Sequence, residues 1–340
     1  MKNLFIMAAV AATFASCSTN NEDFVTMNEV QKITFDAPVM NKNGRAAITD
    51  TNYPEAEKFK VFAQRTTGNY ELGWSNNFMD GVEVSKVQSE NYWAPAADYF
   101  WPKNGDVISF AAYSPSSLVD NTGCTSVTYG ATGLKVTEYL LNATLSKQND
   151  LMYAPRVLNQ TKNTPATGVG IQFKHALSLI NFTVKSENNG ITVTDIIVNN
   201  AKDKGTFSET ITDRPSYLST PAWSDQALQN VSSSFEVFTG EQVITANQAA
   251  QALGDNLLMI PQTIESSTPT PQTLTVKWKY INGGNIEVLD EITKNFSDLS
   301  TTAWEIGKKY TYNITINLDK IYFNPSVTDW ESGSTVEVKP

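Results

Sequence analysis

Apolar and polar residues alternate with a period of two along much of the chain, and this pattern predicts β-strands. In residues 273–280, Leu274, Val276, Trp278 and Tyr280 lie on one side while Thr and Lys residues lie on the other. Residues 310–319 alternate in the same way, with Tyr, Ile and Leu opposed to Thr, Asn and Asp. Such alternation is typical of antiparallel strands that bury one face.

Shorter alternating stretches recur between turn-forming segments. They are residues 59–63, 107–111, 191–198 and 235–238, and the turns between strands include residues 103–106, 188–190 and 282–285. Many short strands with frequent turns predict an all-β fold built from sandwiches. The exception is residues 246–253, which are rich in Ala and Gln and are followed by Gly254. We predict a short helix there, ended by the glycine in a left-handed conformation.

The length of the chain sets the number of domains to expect. At roughly 100–200 residues per domain, a chain of 340 residues forms about two domains. A stretch rich in Thr, Pro and Gly, residues 162–168, is the best candidate for a linker. We therefore predict an N-terminal domain over residues 46–168 and a C-terminal domain over residues 169–340.

Composition narrows the range of functions. The 25 Lys and Arg against 35 Asp and Glu give a net charge of −10, which disfavours nucleic acid as a partner because phosphate binding needs a basic surface. One histidine and two cysteines disfavour a histidine-rich metal site, a catalytic set that needs several histidines, and a disulfide framework. We predict a protein that is not an enzyme and that holds no metal or other cofactor.

The first residues are typical of an export signal. Lys2 is followed by an apolar run over residues 4–15, which is too short for the ~20 residues of a spanning helix. Ala15 and Ser16 precede Cys17, as small residues precede the lipidated cysteine of bacterial lipoproteins. We predict a lipoprotein signal peptide over residues 1–16 and lipidation of Cys17. An ordinary secretory peptide with an incidental cysteine is the alternative.

Four further segments carry a family resemblance. They are residues 150–154, 173–180, 257–263, and 304–310 followed by 327–330. In this order, behind a lipoprotein signal, they make the sequence similar to the fimbrillin family, the subunits of type V pili of Gram-negative anaerobes. The resemblance implies two tandem transthyretin-like β-sandwich domains.

The resemblance also implies a route of assembly. Precursors of the family are held at the outer membrane by their lipid and are cut by an arginine-specific protease after the first strand. Loss of that strand leaves a groove, and a strand from a neighbouring subunit fills it. Repetition of this step builds an extracellular fimbrium that supports adhesion, with other fimbrial subunits as partners.

The residues near the N-terminus fit this route. Ile33, Phe35, Ala37 and Val39 are apolar at strict alternation, which predicts a strand with one buried face. Residues 41–47 then form a polar, glycine-containing segment of the kind that is easily nicked. We predict cleavage between Arg45 and Ala46, so that residues 17–45 form a propeptide with the removable strand. A surface arginine in a hairpin loop is the alternative.

The C-terminal residues 321–340 are the candidate donor strand. Ile321 and Phe323 alternate around Tyr322, and Val336 and Val338 alternate around Glu337. Our hypothesis is that these four apolar side chains replace those of the first strand in the next subunit. Pro325 and Gly333 would let the segment bend away from its own sheet.

Other residues have both a functional and a structural interpretation. We expect His175 to be a structural residue, because no second histidine can complete a metal or catalytic site with it. Trp93, Trp101, Trp304 and Trp330 would form either a sugar-stacking platform or, as we favour, parts of the core. The carboxylates considered for glycoside chemistry are Asp98, Asp106, Glu287 and Asp290, and their spacing is not determined by the sequence.

Two other functions remain open beside a stalk subunit. The chain could be a tip or accessory subunit of a pilus that binds a host or glycan target. It could also be a monomeric surface lipoprotein that binds polysaccharide. A mature N-terminus at Ala46 would favour a pilus subunit over the permanently anchored lipoprotein.

Overall fold

The computed structural model describes residues 31–36, 38–40, 53–70, 73–120, 123–162, 168–212, 217–228, 233–266, 268–318, 320–330 and 336–337. These residues form strands joined by turns and loops, with two short 3₁₀ helices at Leu145–Lys147 and Phe296–Leu299. The all-β fold class predicted from the alternation is confirmed.

The strands are numbered in chain order: β1 (Phe35–Asp36), β2 (Val39–Met40), β3 (Phe59–Thr66), β4 (Met79–Lys86), β5 (Tyr92–Pro95), β6 (Val107–Ser114), β7 (Ser126–Gly130), β8 (Gly133–Leu140), β9 (Met152–Gln160), β10 (Gln172–His175), β11 (Ser178–Ser186), β12 (Ile191–Asn199), β13 (Lys204–Ile211), β14 (Ser219–Ala227), β15 (Ser234–Ile244), β16 (Gln251–Ala252), β17 (Leu257–Met259), β18 (Gln262–Thr263), β19 (Thr273–Ile281), β20 (Glu287–Asn295), β21 (Ala303–Trp304), β22 (Lys308–Asn317), β23 (Lys320–Asp329) and β24 (Val336–Glu337).

The first sheet contains eight strands in the order β1-β5-β4-β3-β6-β9-β10-β2. Its two end strands, β1 and β2, are neighbours in the chain. Residues 35–40 therefore connect the two ends of this sheet. Within it, β2 runs parallel to β10 and the other pairs are antiparallel.

The remaining strands form a six-stranded sheet, two four-stranded sheets and a two-stranded pair. The six-stranded sheet has the order β16-β11-β22-β23-β24, with β17 also paired to β11. The four-stranded sheets have the orders β15-β12-β19-β20 and β14-β13-β8-β7, and β18 pairs with β21. Two hydrophobic cores fill the space between the sheets, a smaller one beside the first sheet and a larger one that continues through the rest.

The two long alternating stretches are strands, as predicted. In β19, Leu274, Val276 and Trp278 are buried, and in β22 the buried residues are Tyr310, Tyr312, Ile314 and Ile316. The turn between β19 and β20 closes through a hydrogen bond from the Asn285 amide to the Asn282 carbonyl, 3.0 Å long. The predicted turn at residues 282–285 is therefore confirmed, and it joins β19 and β20 as a hairpin.

The helix predicted for residues 246–253 is wrong. Gln251 and Ala252 form β16 and pair with Val184 and Thr183 of β11, so tertiary pairing overrides the helical preference of Ala and Gln. Gly254 does have a positive φ of +88°, but for a different reason. A Cβ atom at this position would lie 2.6 Å from the carbonyl oxygen of Val237.

Strands from both sides of residue 168 share one sheet. β7 and β8 precede that residue, yet they are joined through β8 to β13. The larger core likewise contains Phe62 and Tyr113 together with Phe182 and Tyr312. The two-domain division near residue 168 stays a prediction. With a boundary there, β7 and β8 of the N-terminal part belong to the same sheet as β13 and β14 of the C-terminal part.

Candidate functional site

The segment 31–40 lies between two separate edges of the first sheet. On one side, the Ile33 amide donates to the Tyr99 carbonyl at 2.8 Å, and Phe35 pairs with Trp93 of β5. On the other side, the Asp36 amide donates to the carbonyl of Val169 at 3.0 Å. The segment thus satisfies backbone groups of both flanks at once.

The second flank continues along the chain. The Val169 amide donates to the Thr34 carbonyl at 2.8 Å, and further on Val39 and Met40 of β2 pair in parallel with Gln172 and Phe173 of β10. Without residues 31–40, the 99–101 and β5 edge and the 169–173 edge would face an open groove. These pairings are what close the first sheet.

Two side chains of this segment are inserted into the smaller core. Ile33 is 1% exposed and Phe35 is 0% exposed. The Phe35 ring meets the rings of Phe59 and Phe110 edge to face, at centroid distances of 5.9 and 5.5 Å, a favourable arrangement for aromatic pairs. The same core contains Trp93, Trp101, Val169, Ile171 and Phe173. Ala37 and the side chain of Val39 lie outside the described residues.

The groove has a glycine at its closest approach to the segment. Gly168 has a φ of +115°, and a Cβ atom there would lie 2.6 Å from the Thr34 carbonyl oxygen. No side chain fits in that space. The position therefore needs glycine for both its conformation and its contact with the strand.

The predicted lipidation and cleavage residues, Cys17, Arg45 and Ala46, lie outside the described residues, as does Arg214. The other two arginines are fixed in strands. The Arg65 Nε of β3 donates to the Asp106 carboxylate at 2.7 Å. The pKa of Asp106 is lower than its ordinary value, mainly because of the Asn104 side chain and also because of the Arg65 guanidinium.

Arg156 of β9 is enclosed by aromatic rings. Its guanidinium donates to the hydroxyls of Tyr70 and Tyr129 at 2.8 and 3.0 Å, and also to the carbonyls of Gly130 and Ala131. It also lies 4.7 Å from the centre of the Trp74 ring. A protease binds its substrate in an extended, accessible form, so Arg65 and Arg156 are poor targets in the folded chain.

The predicted donor residues divide between two strands. Ile321 and Phe323 belong to β23, which pairs with β22 through ten residue pairs, and both side chains pack partly buried against the larger core. Val336 belongs to β24, for which the described residues show two residue pairs with the outer edge of β23. Val338 lies outside the described residues.

Between these two strands stands an anchored tryptophan. Trp330 stacks on the ring of His175 with a centroid distance of 3.7 Å and an interplanar angle of 8°. The His175 Nδ1 lies 2.8 Å from a carboxylate oxygen of Asp150, and the Trp330 amide donates to the Gly307 carbonyl at 2.8 Å. These contacts give His175 a packing role at the junction of β10 and β23.

The other candidates from the sequence are not brought together as a site. Trp93, Trp101, Trp304 and Trp330 are all buried, as the core interpretation predicts. Of the four carboxylates, Asp98 pairs with Lys32 and Asp106 with Arg65, and both lie in connections between strands of the first sheet. Glu287 and Asp290 lie on β20 of another sheet. Among the described residues, no group of three or more His, Cys, Asp and Glu is placed to hold a metal ion.

Cys124 is buried, and burial raises the pKa of its thiol to about 11.

The fold creates two features that the sequence pattern does not indicate. One is the buried carboxylate of Glu209, which is 2% exposed and accepts a hydrogen bond from the Ser219 hydroxyl at 2.5 Å. The other is a cleft beside Trp223 of β14. Both depend on long-range pairing that residue spacing does not reveal.

A family model for fimbrillin-like proteins matches residues 45–330. The chain belongs to the fimbrillin-like family. Among curated proteins, none matches this fimbrillin-like chain. In the part of the chain that the structure describes, no helix is long and apolar enough to cross a membrane.

Solved structures share the fold of this fimbrillin-like chain. A fimbrial protein from Bacteroides vulgatus has a TM-score of 0.57 at 19% identity, and the match covers 88% of this chain and 99% of that one. A candidate cell adhesion protein from Bacteroides ovatus has a TM-score of 0.52 at 12% identity, with 88% and 98% covered. Another from Bacteroides uniformis has a TM-score of 0.50 at 14% identity, with 88% and 99% covered.

Proposed function

We propose that this protein is a structural subunit of a cell-surface fimbrium and not an enzyme. In this proposal its precursor is lipidated at Cys17 and held at the outer membrane. An arginine-specific protease cuts after Arg45, and the trimmed chain polymerises with other fimbrial subunits by donor-strand exchange, which supports adhesion. Family membership supports the fimbrial role, and the placement of residues 31–40 supports the exchange.

The observation that carries the proposal is the double-sided pairing of residues 31–40. Burial of Ile33 and Phe35 stabilises the closed sheet by about 1.5–3 kcal/mol for each side chain. Each flanking hydrogen bond adds roughly 0.5–1.5 kcal/mol. A typical domain is stable by only about 5–15 kcal/mol. Loss of the segment therefore removes a large share of that stability and exposes two strand edges beside an apolar groove.

An incoming strand restores what the lost segment provided. It must pair with both edges and must place apolar side chains at alternate positions in the groove, which is strand addition to a sheet. It must also pass Gly168, where only a backbone fits. The alternation of Val336 and Val338 around Glu337 meets the second requirement.

The pairing in the C-terminal region suggests where a donor would detach. β23 has ten pairs with β22 and ends at the Trp330 stack, whereas β24 is held by two pairs. Among the described residues, release of Val336 and Glu337 breaks two residue pairs, whereas release of β23 with Ile321 and Phe323 breaks its ten pairs with β22. We therefore propose that residues 331–340 supply the main part of the donor strand.

The test compares three variants expressed in cells that assemble fimbriae. Arg45→Ala should remain uncut and should give no fibres, whereas Arg214→Ala, a matched arginine that does not follow the first strand, should mature normally. A chain ending at Trp330 should be trimmed and secreted as a monomer. N-terminal sequencing and electron microscopy of sheared material give the readout. Fibres whose subunits begin upstream of Ala46, or normal fibres from the shortened chain, would refute the cleavage or the donor assignment.

A further inference from the structure

A cleft of about 810 Å³ lies where β10, β14, β18 and the connection from β21 to β22 meet. Its walls include Lys174, Pro221, Trp223, Thr263 and Glu305. These residues are distant in sequence, so the cleft exists only in the folded chain. Its volume is in the range of small-molecule binding sites, and the assembly proposal assigns it no role.

Trp223 stands apart from the other tryptophans of the chain. Six of the seven are buried, whereas Trp223 is half-buried and lines the cleft. Its position is fixed, because the indole Nε1 donates to the Ala176 carbonyl at 2.7 Å. The ring also packs against Tyr139 and Phe207, each at a centroid distance of 5.5 Å. The cleft therefore has a rigid, partly exposed aromatic wall.

Two charged side chains of the cleft are available to a ligand. Lys308 is paired with Asp329, and His175 with Asp150. Within the described ranges, by contrast, neither the Lys174 ammonium nor the Glu305 carboxylate makes a salt bridge, and Glu305 is exposed. The charge of Lys174 also acts on the buried Glu209 carboxyl, where it opposes the rise in pKa caused by burial. The Thr263 hydroxyl is exposed in the same wall. Together these groups offer hydrogen-bond donors and acceptors around the aromatic ring.

The edge of β14 disfavours a peptide ligand. β14 is an end strand of its sheet, and Pro221 is its third residue. A proline in a strand turns its nitrogen to the edge that is not paired, where it has no hydrogen to donate. An extended peptide that added a strand here would lose that ladder bond. A ligand of this cleft is therefore recognised mainly by side chains.

We infer that this cleft binds an oligosaccharide. A pyranose ring has an apolar face of C–H groups, which can pack on the Trp223 indole, and a rim of hydroxyls that both donate and accept hydrogen bonds. The Glu305 carboxylate accepts from such hydroxyls, and the Lys174 ammonium and Thr263 hydroxyl donate to them. The inference does not depend on strand exchange, because the cleft is complete in the uncut chain.

The test uses the uncut soluble chain, residues 18–340, on a printed array of mucin-type O-glycans, N-glycans and plant oligosaccharides. The strongest binder is then titrated by calorimetry. Trp223→Ala should abolish binding. Because Trp223 also packs on core residues, Glu305→Gln and Lys174→Gln provide tests that leave this packing intact. Each should weaken binding about tenfold or more, as expected for a lost hydrogen bond to a charged group.

Tyr322→Ala is the matched control, since Tyr322 is an exposed aromatic residue, 52% exposed, that does not line this cleft. It should bind like the unaltered chain, and circular dichroism should show that all four variants are folded. If no glycan is bound, or if Glu305→Gln and Lys174→Gln bind as tightly as the unaltered chain, the inference is wrong. Preferential binding of peptides that compete for the cleft would also overturn it.

Discussion

The first strand should open as a separate unit, and Phe35→Ala is the change that tests this. Phe35 is fully buried and contacts Phe59 and Phe110, whereas its backbone pairings with β5 and Val169 do not depend on its side chain. The substitution therefore removes packing while it leaves the hydrogen-bond pattern of the segment in place.

The expected magnitude follows from the burial. Replacement of a buried Phe by Ala costs about 3–5 kcal/mol. If the segment 31–40 opens without the rest of the fold, this whole cost lowers the free energy of local opening. At 1.4 kcal/mol for each factor of ten, amides protected only by this segment should exchange roughly a hundredfold to several thousandfold faster.

Hydrogen exchange read by mass spectrometry or NMR measures this directly. The amides to follow are those of Ile33, Asp36 and Val169, whose hydrogen bonds join the segment to its two flanks. Amides of β22, which belongs to a different sheet and to the larger core, should keep their protection. The ratio of the exchange rates of the groove amides to those of the β22 amides, measured in the same sample, separates local opening from a general loss of stability.

The matched control is Phe207→Ala, since Phe207 is equally buried but belongs to the larger core. With this substitution, the ratio of the exchange rate of the groove amides to that of the β22 amides should stay the same or fall. If Phe35→Ala accelerates all strands alike, the segment opens only with the whole fold. If it leaves Ile33 and Asp36 as protected as before, the groove does not depend on this side chain, and the reasoning fails.

Two further predictions concern the groove wall and the buried carboxylate. Gly168→Ala should destabilise the uncut chain by about 1–3 kcal/mol, because its Cβ would collide with the Thr34 carbonyl. Gly170→Ala should not, because a Cβ at that position meets no atom within 4 Å. Urea unfolding of the two variants provides the comparison. Burial raises the pKa of Glu209 above its ordinary value, despite a hydrogen bond from Ser219. The unfolded chain therefore releases the proton of the Glu209 carboxyl at lower pH than the folded chain does. The stability that the protonated carboxyl contributes is complete below about pH 4.3 and is lost as the pH rises through the pKa of the folded chain. Glu209→Gln should flatten this dependence and raise the urea midpoint at pH 7, and equal pH profiles for the two proteins would contradict the assignment.

The strands could be predicted where the pattern is local. In β19 and β22, the alternate apolar residues are buried because each strand has one face on the core, and a period of two indicates this directly. Residues 246–253 show the limit of such reasoning. Ala and Gln favour a helix in isolation, but Ala246 bridges to Ser186 and Gln251 pairs with Val184, contacts that no local pattern contains.

The groove could be predicted only in part. The alternation of Ile33 and Phe35 indicates a strand with one buried face, but not which edges it joins. Those edges are residues 99–101 and 169–173, and the second pairs in parallel with β2 across more than a hundred residues. The close contact of Gly168 with Thr34 is likewise a product of tertiary structure, although the glycine itself is visible in the sequence.

The position of segment 31–40 has a mechanical consequence. Its hydrogen bonds to both flanks run across the strand, so a force that pulls along the strand loads them together in shear, instead of breaking them one after another from an end. A strand from a second subunit that occupied the same place would inherit this geometry. Under the proposed strand exchange, the joint between subunits would then resist tension along the fibre far better than peeling from the side.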